Sequence, residues 1–417
     1  MTMGKQSTTG GSAGSSVGLP PGSVARYQIV LIEPGEQGAA ARLEALLLEQ
    51  VQALGVDLAA INVLHGEEAS KRDPRGPAAA VYFGTDTSLP GWVDPIVAGL
   101  VSDGVPILPV VEDINHFGDL VPKQLTVFNG RAFDGDDKDL NAIACIVLEN
   151  LDLLRRSRRI FISYRRVDSR GVAVQVYEAL EAAGYEAFLD THSIRGSDLF
   201  QDELWQRLSD VDLVVLLDSP NFLTSYWTAQ ELARVNALGI GMVQLLWPNQ
   251  KLDPQASLAL PIHLTDADFI GGVCTVNEID RLVDSTVRNI VSAVEGHRAR
   301  STGARHKALV SEVCSAAAIA GHSAHVHWRR CIVVTQGGES RKIAVPVVGV
   351  PDAVRYHDVD QLIDTLEELD SKDAVLVYNH AGIRERWLAH LEWLNGSGIR
   401  VKGVRVAELD KAFANGS

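Results

Sequence analysis

Cysteine is scarce. Four residues (Cys145, Cys274, Cys314 and Cys331) are spread over 417 positions with no C-x-x-C pair, which excludes a disulfide-built scaffold and implies reduced thiols. Long uncharged apolar runs are also missing: none approaches the roughly 18 residues that a membrane-spanning helix needs. No apolar leader opens the chain, so a cytoplasmic protein with no membrane partner is expected. Basic charge is outweighed, with 38 Lys and Arg against 53 Asp and Glu for a formal net charge of −15, and such a surface repels a nucleic-acid backbone. The local exception is "RRSRR", Arg155 to Arg159, which joins two apolar segments and reads as a solvated linker. The phosphate-loop spacing G-x-x-x-x-G-K-[ST] does not occur, and the glycines of "TGGSAGSSVG" have neither a strand before them nor a helix after. That sets ATP and GTP hydrolysis aside. A G-x-S-x-G elbow is absent outside the same segment, so an ester or peptide hydrolase has little support.

What is present is a globular composition, 46% hydrophobic and 22% charged, in a chain too long for one core at roughly 100 to 200 residues per domain. Residues 1–24, rich in Gly, Ser and Thr and closing on Pro-Pro, are expected to form a disordered tail. From Tyr27 onward strand and helix patterns alternate: "YQIVLI", "AARLEALLLEQVQALG", "AAAVYFG", "WVDPIVAGLVSDG", "VPILPVV". The order repeats from "RIFISY" through "GVAVQVYEALEAAG", "YEAFLD", "LFQDELWQRLSD", "VDLVVLLDS" and "SYWTAQELARVNALG" to "GMVQLLW". A polar, basic stretch, "HRARSTGARHK", reads as a linker, and a third pattern of helices and strands follows it. Such alternation implies mostly parallel sheets covered on both faces. The expected architecture is α/β: three flavodoxin-like open parallel-sheet units, over 25–154, 155–298 and 306–417.

The first two units look like an internal duplication. The segment "AAAVYFGTDTSLPGWVDPIVAGLVSDGVPILPVV" can be laid over "VDLVVLLDSPNFLTSYWTAQELARVNALGIGMVQLLW" element for element, with Trp92 on Trp227. Four residues further on the copies part, Ile96 in the first standing against Glu231 in the second. In the third unit Trp387 again follows a strand and a turn, with Leu391 four residues later and Glu392 five.

In an open α/β sheet the ligand crevice lies beyond the carboxyl ends of the strands. Three polar loops of the middle unit converge there, "SYRRVDSRG", "DTHSIRGSDLF" and "SPNFLTSYW". Trp227 and Glu231, four apart, project from one helix face. An aromatic plane beside a carboxylate can hold a flat cationic ring while the acid acts on the attached sugar. Cleavage of an N-glycosidic bond to a pyridinium is chemistry of that kind: the leaving group departs neutral, positive charge builds on the ribose, and a carboxylate stabilises it without a metal or cofactor. The plainer alternative is that Trp227 is a core or interface residue and Glu231 a solvated helical acid. His322, His325 and His327 of "GHSAHVHW" lie close together, but a partly exposed strand explains them without a metal.

The segment from Arg158 to about Trp247 resembles a bacterial TIR (Toll/interleukin-1 receptor) domain. "RIFISYRR" is similar to the family's first box, and "FLDTHSIRGSDLFQDELWQRLSDVDLVVLLDSPNFLTSYWTAQEL" to the stretch from its second strand through the BB loop to the S-x-W-x-x-x-E signature. The resemblance implies that Glu231 is the Glu required for NAD+ hydrolysis and Trp227 its signature partner. Ser163, Tyr164 and Arg165 then match positions near the nucleotide, and Asp190, Ile194 and Gly196 match the BB loop that lines or gates the site. NAD+ would be the substrate, its nicotinamide split from an ADP-ribose left linear or cyclised, in antiviral defence or immune signalling. Association through TIR domains and an activating ligand or protein acting through the flanking units are further expectations. Thr228 stands where many members have Cys, a departure of little weight; the BB loop lacks the Pro common in signalling members, and that weighs against adaptor-type recognition more than against catalysis. A non-catalytic TIR scaffold is the competing reading.

Overall fold

The computed structural model describes residues 27–35, 38–74, 76–189, 208–220, 222, 235–252, 258–327, 329–336, 339–366 and 373–414. The tail expected over 1–24 lies outside them, as do most of "LFQDELWQRLSD" and most of "SYWTAQELARVNALG".

Three five-stranded sheets follow one another along the chain. The first holds β1 (Tyr27–Ile32), β2 (Ile61–His65), β3 (Ala78–Phe83), β4 (Ile107–Val111) and β5 (Arg131–Ala132), in the order β2-β1-β3-β4-β5. The second holds β6 (Arg159–Tyr164), β7 (Glu186–Leu189), β8 (Leu213–Asp218), β9 (Gly241–Leu246) and β10 (Leu260–His263), in the order β7-β6-β8-β9-β10. All pairings in both are parallel. The two sheets therefore share one strand order, as a duplication requires. Every residue of β1, β3 and β8 is buried, because parallel sheets carry apolar cover on both faces. The short strands β2, β5 and β10 have no counterpart in the sequence reading.

The third sheet departs from an all-parallel design. Its strands β11 (Ser323–Val326), β12 (Ile332–Gln336), β13 (Glu339–Val347), β14 (Ala374–Tyr378) and β15 (Val401–Arg405) lie in sequential order. β11, β12 and β13 run antiparallel and the rest parallel. The cause is connection length: the links from β11 to β12 and from β12 to β13 are too short for a crossover and make hairpins instead.

The stretch "HRARSTGARHK" is not a linker. It is the middle of one helix, Asp284–Ile319, 36 residues long, which packs on helices Ala39–Ala53, Asp137–Asn150 and Arg166–Ala182 and on strands of the third sheet. Gly296, Arg298, Ala299, Ser301, Thr302 and Gly303 are all buried within it. A Cβ on Gly303 would stand 2.8 Å from Leu54 Cδ2 and 3.2 Å from the Ala53 carbonyl. The glycine that suggests a flexible joint in sequence is thus the point of closest approach between two helices. A boundary between 298 and 306 would cut a continuous rod.

"RRSRR" is likewise no solvated run, Arg156 excepted. Arg158 donates from Nε and Nη2 to Glu149 at 2.8 to 3.1 Å, and Arg155 reaches Asp210 at 2.9 Å and Asp212 at 3.3 Å. Arg298, fully buried on the long helix, joins Glu149 (2.8 Å) of the first unit to Asp212 (2.9 Å) of the second. Burial pushes the neighbouring Glu295 carboxyl up to about 7. The arginines fold inward because the first two units bring carboxylates to one point, and a buried charge needs a partner.

All four cysteines are free. Among the described residues no helix is long and apolar enough to cross a membrane.

Candidate functional site

The second sheet reverses direction of growth between β6 and β8, so the chain leaves those two carboxyl ends toward opposite faces. A crevice at this point is the usual ligand position. Ser163 lies one residue from the end of β6, in register with Leu216 of β8, which pairs in turn with Gln244 of β9. Side chains at paired positions of parallel strands share a face, so Ser163, Leu216 and Gln244 form one row, and Asp218, two residues beyond Leu216, belongs to the same face. Gln244 Nε2 donates to Asp218 Oδ2 at 2.8 Å. That face is covered by the cluster holding Phe161, Val214, Leu216, Phe222 and Val235.

Tyr164 points the other way, as alternation demands. Its ring is buried with Ile160, Ile162 and Val172 on the opposite face, so it packs the core there and does not share Ser163's face. Arg165 is the N-cap residue of the helix Arg166–Ala182, and its Nη1 donates to Asp168 Oδ2 at 2.9 Å. Asp168 sits in the first turn, where the helix dipole favours an anion. Glu231, Trp227, Asp190, Ile194 and Gly196 lie outside the described residues, between Leu189 and Leu208 or between Phe222 and Val235. Phe222 and Val235 are both fully buried in the cluster over Ser163 and Gln244.

Among the described residues, four buried polar atoms at this edge have no hydrogen-bond partner: Asp168 Oδ1, Ser219 Oγ, Gln244 Oε1 and Trp247 Nε1. Each follows the carboxyl end of β6, β8 or β9 or, for Gln244, lies within its last turn of strand. An orphaned buried polar group costs roughly 1–3 kcal/mol, so four at one sheet edge call for a functional explanation. Asp168 Oδ1 and Gln244 Oε1 accept, Trp247 Nε1 donates and the Ser219 hydroxyl does either, a set suited to hydroxyls and amides. All four residues are at most 5% exposed, so a ligand reaches them only by displacing what covers them.

Asp168, Asp218, Ser219, Gln244 and Trp247 were not singled out in the sequence. The signal was available for two: Gln244 is a lone amide inside "GMVQLLW", and Asp218 ends the apolar run "VDLVVLLD". Among the described residues no group of three or more His, Cys, Asp or Glu is placed to hold a metal.

Residues 160–279 match the family model of the TIR domain. A probable 2′ cyclic ADP-D-ribose synthase from Brachypodium distachyon is 28% identical over 109 residues, which cover 25% of this chain and 49% of that protein. The chain thus spans about half the length of the curated relative it matches. Among solved structures, the C-terminal domain of a glucosamine-fructose-6-phosphate aminotransferase from Francisella tularensis is 10% identical, with 67% of this chain and 86% of that one covered and a TM-score of 0.20. A putative LacI transcriptional regulator from Bacteroides fragilis is 13% identical, with 55% and 78% covered and a TM-score of 0.16. At such scores neither likeness carries an argument.

Proposed function

Because the central unit carries a TIR domain, we propose that the chain is an NAD+ nucleosidase that splits nicotinamide from ADP-ribose at the carboxyl edge of its second sheet. Glu231 is the carboxylate that stabilises positive charge on the ribose as the glycosidic bond breaks, and Trp227 holds the nicotinamide ring. Ser163 and Arg165, with Asp190, Ile194 and Gly196 of the BB loop, bind the rest of the dinucleotide; Tyr164 supports them from the core. NAD+ is the substrate, and the reaction needs no metal or cofactor. The plant relative's name, a cyclic ADP-ribose synthase, supports a product that is cyclised in part. Activity rises as TIR domains associate, and the flanking units restrain it until a signal arrives, as a defence enzyme that depletes NAD+ requires.

The observation that carries this reading is the polar row of Ser163, Gln244 and Asp218 at the switch point, in which Gln244 Oε1 has no partner among the described residues. The full burial of that row favours a second reading, a TIR scaffold that neither binds nor consumes NAD+. Purified full-length chain incubated with NAD+ at rising protein concentration separates the two. Nicotinamide should accumulate, measured by chromatography, with a rate that climbs faster than linearly. Absence of nicotinamide at every concentration would leave the scaffold.

A further inference from the structure

A second cleft, of about 710 Å³, opens where the three units meet. It lies beyond the carboxyl end of β13 and at the N-terminus of the helix Ala353–Asp364, the position in an α/β sheet where ligands gather. Six arginines line it, Arg155, Arg156, Arg159, Arg329, Arg330 and Arg355, against three aspartates, Asp152, Asp352 and Asp358. Asp210, Asp212 and Glu186, outside the lining, already answer Arg155 and Arg159; Arg156, Arg329, Arg330 and Arg355 remain to face the three aspartates, which leaves the cleft an excess of cation in a chain of net charge −15. The same cleft has an apolar lining that includes Leu54, Val347, Val354, Val359 and Leu362, with Val354 65% exposed.

The arginines differ in how firmly they are held. The Arg156–Asp152 pair at 3.0 Å is exposed on both sides, and Arg355 stands 3.6 Å from Asp358; pairs of this kind are weak and readily exchanged for a phosphate. Arg330 is different. Its guanidinium donates to the carbonyls of Asp152 and Leu153, and among the described residues no carboxylate lies within ion-pair distance of it. Burial lowers its pKa, and an anion in the cleft would supply the missing counter-charge. The backbone is strained at the same spot: of four non-glycine residues with positive φ among those described, Asp152 (54°) and Arg330 (57°) meet here. Strain of this sort persists where the surroundings impose it and gathers at binding sites.

We propose that this cleft binds a nucleoside diphosphate or a ligand of that chemistry, its phosphates on the arginines and its base against the valine and leucine wall. The volume suits a molecule of that size. Asp210 ties the cleft to the central unit: it accepts from Arg155 and from the Val350 amide at 2.9 and 3.0 Å, and it pairs with Arg159 at the start of β6. Phosphates that draw Arg155 and Arg159 from Asp210 would free that carboxylate to shift, and with it the Val350 amide that joins the third unit to the second. That regulatory consequence rests on the NAD+ reading; the binding does not.

The test is calorimetric titration of the full chain, without NAD+, using ADP, inorganic pyrophosphate and adenosine as probes. ADP should bind, pyrophosphate more weakly, and adenosine not measurably. The double variant Arg156→Glu/Arg355→Glu, which alters exposed or half-exposed side chains and should melt at the parent temperature, should weaken ADP binding at least tenfold while leaving basal NAD+ turnover unchanged. No heat with ADP at millimolar concentration, pyrophosphate matching ADP, or a double variant that binds ADP as well as its parent would overturn the proposal; the last outcome would place ADP in the central crevice instead.

Discussion

The first and second units are two copies of one topology, and the rows at their switch points show what separates a closed sheet edge from a polar one. In the second, the row is Ser163, Leu216 and Gln244; in the first, the residues in the same places are Ile32, Tyr82 and Pro109. Where the second unit has Asp218, two residues beyond Leu216, the first has Gly84, two beyond Tyr82. That glycine is not spare room: a Cβ there would stand 2.7 Å from Val111 Cγ1 and 2.9 Å from the Leu120 carbonyl. Chain backbone fills the first unit's crevice, and apolar side chains line it. A fold can thus be kept while its site is removed, since strand order depends on core faces and the site on a handful of edge positions.

The comparison holds only while the units are held together, so the largest expected effect is from the buried ion pairs between them. Arg298→Ala leaves Glu149 and Asp212 short of a partner and should cost about 3–5 kcal/mol, read as a lower denaturant midpoint. A variant within 1 kcal/mol of wild type would show that the ion pairs of the long helix do not hold the first and second units together. Next is Glu295. Its folded carboxyl sits near 7 against an ordinary 4.5, so the folded state holds the proton more tightly, and stability falls as pH rises from about 4.5 to about 7. Glu295→Gln keeps the neutral form and should raise stability by up to about 3 kcal/mol at pH 8 with little change at pH 4; thermal midpoints at the two pH values check the sign. Smaller still is Gly84→Ala, in which the added methyl meets backbone and should cost about 1–3 kcal/mol. NAD+ turnover should be unaffected at temperatures below its melting, and a parallel loss of turnover would mean the first unit shares in the site.

Much of this was legible. The alternation of strands and helices and the shared strand order of the first two units follow from periodicity, because apolar runs such as "LVVLL" have few other places to go. The misread stretches have one cause. Charge and glycine in "RRSRR" and "HRARSTGARHK" suggest solvent in a one-dimensional string, yet Arg158 and Arg298 are buried because carboxylates from distant segments, Glu149 and Asp212, arrive beside them. No local pattern reports that. The family resemblance places Ser163 and Tyr164 together near the nucleotide, whereas consecutive strand residues face opposite ways and Tyr164 packs in the core of the other face. Gln244 and Asp218 were visible as lone polar residues in apolar strands and could have been added to the site.

Under the proposed function, Glu231 of the second unit does chemistry that its apolar counterpart Ile96 in the first unit does not. Nicotinamide release from NAD+ by wild type and by Glu231→Ala, at equal protein concentration and equal melting temperature, tests it most directly. The rate should fall by roughly 10²–10³-fold in the variant; a variant that released nicotinamide at the wild-type rate would contradict it.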